Sequence, residues 1–181
     1  SVEFDDQSVY LVGSSDSPDI PVTVGGAAAG GNQTGIIAKF SQSDLTLEYA
    51  RYLGGEARDF ITKAVASNGV LHVTGYTGSR SFPVTNGTQF STQVNDTEDG
   101  FYTRLSPTGQ ILFSSYLSSN ELDNPTQLII SNGDAYLCGV SVSIINGQLS
   151  ALLHKVGAGG QLLYSRRYRI GMNRSTGIRP S

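Results

Sequence analysis

Residues 100–117 read Gly100-Phe-Tyr-Thr-Arg-Leu-Ser-Pro-Thr-Gly-Gln-Ile-Leu-Phe-Ser-Ser-Tyr-Leu117. Two apolar runs flank a Ser-Pro-Thr-Gly segment, the pattern of two strands joined by a tight turn. Related versions occur on either side. The earlier one is Gly35-Ile-Ile-Ala-Lys-Phe40 followed by Leu47-Glu-Tyr-Ala-Arg-Tyr-Leu53. The later one is Ala151-Leu-Leu-His-Lys-Val156 followed by Gly160-Gln-Leu-Leu-Tyr-Ser165.

A second series sits upstream of each version. Val9-Tyr-Leu-Val-Gly13, Leu71-His-Val-Thr-Gly75 and Ala135-Tyr-Leu-Cys-Gly139 align without gaps. Ser67-Asn-Gly69 and Ser131-Asn-Gly133 precede the last two. Asn-Gly between apolar runs marks a type I′ hairpin, whose two central residues need positive φ. Asp5-Asp-Gln7 occupies the same place in the first unit, without the glycine.

Each unit thus reads as four strands, near 2–5, 8–13, 35–40 and 46–53; then 60–66, 70–76, 100–105 and 110–117; then 126–131, 134–140, 150–156 and 161–168. Matching positions carry matching chemistry. Tyr49, Phe113 and Tyr164 coincide, as do Lys39, Arg104 and Lys155. The fold expected is all-β: three four-stranded antiparallel sheets in a repeat. The repeats span 1–55, 56–119 and 120–170, with a tail at 171–181. Apolar residues at alternate positions, such as Val9 and Leu11 or Leu71 and Val73, are expected to face neighbouring sheets. The second-to-third connection is long in the first two units. Both carry one landmark, Ile20-Pro-Val-Thr23 and Phe82-Pro-Val-Thr85, placed outside a central strand by its proline.

Tyr52-Leu-Gly-Gly55, Val73-Thr-Gly-Tyr76, Ser81-Phe-Pro-Val-Thr85 and Arg104-Leu-Ser-Pro-Thr-Gly109 together resemble the bacterial β-propeller repeat known as SBBP. The second unit matches over nearly its whole length, the first and third in part. The resemblance implies that the three sheets are propeller-like blades, part of a larger propeller or repeat assembly, in a large secreted or surface-attached repeat protein. It implies no catalytic residues. Three blades leave two outer faces needing cover, from further blades of the same polypeptide or from self-association.

The chain has 181 residues, one cysteine and a net charge of −3. Charge is unevenly placed. Residues 1–165 hold seven basic against fifteen acidic residues, a net −8, whereas 166–181 hold five arginines and no acid. Arg166, Arg167, Arg169, Arg174 and Arg179 at one end, with Glu3, Asp5 and Asp6 at the other, are therefore candidates for head-to-tail assembly into a ring or fibre. No basic groove in the body suggests nucleic acid, and no apolar run approaches the ~20 residues of a membrane span. Ser1 leads almost directly into an apolar strand, which suggests a mature product or a segment of a longer chain. Four sequons, at Asn32, Asn86, Asn95 and Asn173, favour a secreted eukaryotic glycoprotein, extracellular or at the cell surface, and mean nothing in a bacterial protein.

Catalytic and cofactor signals are weak. His72 aligns with Tyr10 and Tyr136, a packing position. His154 aligns with Ala38 and Thr103 and is expected on an exposed strand face. Cys138 aligns with Val12 and Thr74 and is expected in the core. Asp96-Thr-Glu-Asp99 lacks the spacing of a calcium loop. Gly25-Gly-Ala-Ala-Ala-Gly-Gly31 lacks the Gly-Lys-Ser/Thr ending of a phosphate loop. The expectation is a non-enzymatic structural or adhesive module without metal or cofactor. The alternatives are a propeller that binds a sugar or peptide through its inserted loops, and a non-catalytic fragment of a larger secreted enzyme.

Overall fold

The computed structural model describes residues 1–25, 33–85, 98–117 and 121–169. The four sequon asparagines, Arg174, Arg179, Asp96 and most of the Gly-rich segment lie outside these residues. The protein is all-β, with no helix among the described residues. The first sheet comprises β1 (Val2–Phe4), β2 (Ser8–Ser15), β3 (Thr34–Ser41) and β4 (Leu47–Leu53). The second comprises β5 (Asp59–Ser67), β6 (Val70–Thr77), β7 (Asp99–Leu105) and β8 (Ile111–Leu117). The third comprises β9 (Leu122–Ser131), β10 (Asp134–Val142), β11 (Leu149–Val156) and β12 (Leu162–Arg169). Each is an antiparallel meander in chain order.

Local chemistry explains the hairpins. Asn68 and Gly69 have φ of 51° and 74°, and Asn132 and Gly133 have 51° and 81°, the backbone of a type I′ turn. Irregularities recur at matching places. The register of each third strand shifts just after its cation, at Lys39/Phe40, Arg104/Leu105 and Lys155/Val156. The first strands of sheets two and three bulge at Thr62 and Thr126. There the bulged chain runs so close to Gly75 and Gly139 that a Cβ would come within 1.8 Å of Phe60 O and 2.1 Å of Asn124 O. Only glycine fits at these two positions.

The sheets pack face to face and fan from their first strands. β5 lies against β1, β2 and β3, and β9 lies against β5, β6 and β7. Two apolar layers result. Tyr10, Val12, Ile37 and Tyr49 of sheet one meet Leu71, Val73, Phe101 and Leu105 of sheet two. Tyr102, Phe113 and Leu117 of sheet two meet Leu128, Leu137 and Val156 of sheet three. Each large side chain so buried contributes roughly 1.5–3 kcal/mol. The proline landmarks run along the fourth strands. Thr23 N donates to Ala50 O at 2.9 Å, and Thr85 N donates to Ser114 O at 3.0 Å. Their hydroxyls accept from Ala50 N and Ser114 N in return. These segments occupy strand edges that would otherwise present free backbone groups.

Three expectations are corrected. In sheet one Tyr10 and Val12 are buried, while Leu11 is 47% exposed and Val9 only half-buried. The face carrying Leu11 has no covering sheet among the described residues, whereas sheet two is covered on both sides and buries Leu71 and Val73. His154 is 3% exposed, not on a solvent face, because its side of sheet three packs on sheet two. Cys138 is exposed rather than in the core, because its side of sheet three faces outward.

Candidate functional site

The residues that coincide between repeats meet across the joints between sheets. At the first joint Lys39 Nζ, on β3, donates to Pro107 O in the β7–β8 turn at 3.1 Å. Arg51 Nη1, on β4, donates to Gly109 O at 2.5 Å. The ring of Tyr49 lies directly beneath Gly109, where a Cβ would come within 2.8 Å of it. Gly109 also has φ of 78°, so the turn is glycine for both conformation and contact. Glu48 pairs with Lys39 at 2.7 Å, which partly neutralises a cation that is 8% exposed.

The second joint repeats the first. Arg104 Nη1 donates to Ala158 O in the β11–β12 turn. Gly160, with φ of 90°, sits on Phe113 at the same 2.8 Å. Arg104 also stacks on Phe113 at 5.1 Å. A bulge residue adds a further tie, since Thr62 Oγ1 reaches Pro125 O at 2.6 Å.

The outward face of sheet three carries the same residues with nothing against them among the described residues. Lys155 stacks on Tyr136 at 5.2 Å and pairs with Asp134 at 2.8 Å. Tyr164 is half-buried, and Arg166 is exposed with its guanidinium on Ser165 O. Ile129, Val140, Leu149 and Tyr168 are exposed on this face. The free face of sheet one exposes Val2, Phe4, Leu11 and Leu47. These two apolar faces are the candidate site.

The assembly residues proposed from charge fare unevenly. Glu3 pairs with Lys63 across the first joint. Asp5 accepts from Gln7 N, Ser8 N and the Tyr10 hydroxyl, and its pKa is lowered, with burial opposing those bonds. Arg167 pairs with Asp123 at 2.8 Å inside sheet three. Asp6, Arg166 and Arg169 remain exposed. Glu3, Asp5 and Arg167 thus have partners within the molecule, and Arg166, Arg167 and Arg169 lie on β12.

Both histidines are buried. His72 Nδ1 is 2.7 Å from Tyr102 Oη, and burial, with Arg104 nearby, pushes its pKa down to about 4. His154 has no hydrogen-bond partner on either ring nitrogen. Burial pushes it down to about 4 as well. Tyr10 is pushed up to about 12, first by burial and then by Asp5. At neutral pH both imidazoles are therefore neutral and the Tyr10 phenol is protonated. No group of three or more His, Cys, Asp or Glu among the described residues could hold a metal ion. No helix among them is long and apolar enough to cross a membrane.

Two features escaped the sequence reading. Clefts of about 550 Å³ and about 280 Å³ open at the hairpin end of the two joints. The first is lined by Asp5, Tyr10, Lys39 and Asn68, the second by His72, Arg104 and Gly133. The other feature is a buried carboxylate at the start of the first strand in sheets two and three. Asp59 accepts from Gly55 N at 2.8 Å and from the hydroxyls of Thr77 and Ser79, and burial raises its pKa. Asp123 holds Arg167. The signal was present, since Asp59 and Asp123 keep the same spacing as Leu71 and Ala135. No family model matches the chain, and no curated protein matches it.

Proposed function

We propose that the chain is a non-enzymatic structural or adhesive repeat module, working in an extracellular or cell-surface assembly whose further blades or copies cover its two outer faces. One observation carries this reading. Positions buried at both internal joints stand open on sheet three, and sheet one presents a second apolar face. Burying such surface yields ~25 cal/mol per Å², and leaving it free invites aggregation. Charge plays the lesser part, because Glu3, Asp5 and Arg167 already have partners and exposed ion pairs contribute little. The extracellular placement rests on the four sequons and on the resemblance to secreted repeat proteins.

Fractionation of the source cells tests the proposal. The protein is expected outside the cell, in a particle larger than 19.2 kDa. Glycosidase treatment is expected to lower the mass of the native material if Asn32, Asn86, Asn95 or Asn173 is used. Recovery as an intracellular monomer refutes the proposal.

A further inference from the structure

We infer that the outward face of sheet three is a socket for one kind of partner: a further four-stranded sheet of the second-sheet type, following β12 as sheet two follows β4. This rests on the structural reading above and names the occupant of one face.

Strand register matches the face to its two counterparts. Tyr136 stands where Tyr10 stands, Cys138 where Val12, Leu153 where Ile37, Lys155 where Lys39, Tyr164 where Tyr49, and Arg166 where Arg51. Five of these six pairs share the same chemistry. In sheet one all six are at most 8% exposed, because sheet two covers them. In sheet three all six are half-buried or exposed. The corresponding face of sheet two is different, with His72, Arg104 and Phe113, and there sheet three is the cover. The third sheet therefore offers what the first offers: a tyrosine platform for a glycine, a lysine for the turn carbonyl two residues before it, and an arginine for the carbonyl of that glycine.

The same details exclude a second copy of this chain from this seat. The matching faces of sheets two and three are already occupied within each molecule, which leaves only sheet one. Its β3–β4 turn runs six residues from Ser41 to Thr46, against five from Ser106 to Gln110 and five from Gly157 to Gln161. Leu45, with φ of 56°, takes the place of the glycine. A Cβ at that place comes within 2.8 Å of the platform ring in both existing joints. The occupant must bring a five-residue turn with glycine at its positive-φ position.

Cys138 provides the readout, because its counterparts Val12 and Thr74 are 5% and 0% exposed under their covering sheets. Residues 1–168 followed directly by a second copy of residues 54–117 place a second-sheet unit after β12. The tested quantity is the rate of Cys138 alkylation by a maleimide, beside the unmodified chain. The fused protein is expected to react at least tenfold more slowly. Replacing the glycine of the appended turn by leucine (Gly109→Leu in the second copy alone) is expected to restore the rate. Tyr164→Ala is expected to lower the Tm of the fused protein and to leave that of the unmodified chain unchanged. An appended sheet that leaves Cys138 as reactive as before, whether or not it folds, overturns the inference, as does protection that survives the leucine. Slow reaction in the unmodified chain at raised concentration also overturns it, because copies of the chain would then cover the face. Cell fractionation bears on the wider proposal alone, so the two can fail separately.

Discussion

Acidification is expected to destabilise the protein mainly through the second joint, where both histidines lie. His72 projects from sheet two toward sheet three, and His154 projects from sheet three toward sheet two. The surroundings of His72 are Tyr102 and Arg104, and those of His154 are Asp123 and Arg167. Each imidazole is held neutral in the fold by burial, with a pKa near 4 against an ordinary value of 6.5. The unfolded chain therefore binds more protons between these two values, and stability rises with pH across that window. The contribution is fully present above about pH 6.5 and is lost as pH falls toward 4. At about 1.4 kcal/mol per pH unit, each histidine accounts for roughly 3 kcal/mol.

Other groups act elsewhere or in the opposite sense. Asp59 has a raised pKa, so its protonation in the fold offsets part of the loss. Glu56 is lowered to about 2, chiefly by its bond from Ser81, and contributes its loss below the histidine window. A net fall on the order of 5 kcal/mol between pH 7 and pH 4.5 is expected, a large share of a typical domain's 5–15 kcal/mol. Urea denaturation at a series of pH values measures it. The double variant His72→Tyr with His154→Leu is expected to lose less than half as much over the same interval. Equal losses in the double variant and the parent would show that the histidines do not control acid stability.

Other substitutions probe the joints and the corrected faces. Gly109→Val, which forces a β-branched residue into positive φ against Tyr49, is expected to cost about 2–4 kcal/mol in urea denaturation. Thr62→Val removes the hydroxyl that ties the sheets at Pro125 O and is expected to cost about 1–2 kcal/mol. Leu71→Ala is expected to cost about 2–5 kcal/mol, whereas Leu11→Ser, at an exposed position, is expected to stay within about 0.5 kcal/mol. That contrast narrows if the Leu11 face is covered in solution.

Strand order and turn chemistry were legible because they are local properties. Asn68-Gly69, Asn132-Gly133 and the alternating runs fix where each hairpin turns, and the repeat multiplies the signal. Burial was not legible in the same way, because it belongs to pairs of sheets. Aligning Cys138 with Val12 and Thr74 finds its place within a sheet correctly. It then misjudges exposure, since Val12 and Thr74 owe their burial to the next sheet. His154 fails in the reverse direction. Its counterpart Ala38 lies on the free face of sheet one, while His154 lies against sheet two.

The coincidences between repeats carried more than they seemed to as a list of matching letters. Lys39 and Arg104 match because each bonds a carbonyl in the following sheet's turn, so the partner sits about one repeat length further on, and Lys155 occupies the matching place on sheet three. Lys39 and Pro107 are separated by 68 residues, and Arg104 and Ala158 by 54. A repeat of this kind encodes its joints twice, once in the cation and aromatic of one sheet and once in the glycine turn of the next. The two halves can be checked against each other along the chain. Sheets one and two have both a platform and a following glycine. Sheet three has the platform, and sheet one has Leu45 where the glycine would be. The third-sheet half is thus complete and unmatched among the described residues, while the first-sheet half is absent. This asymmetry makes the two outer faces unlike, and on the proposal above it lets a joint of the existing kind extend the fold from sheet three but not link one copy's third sheet to another's first.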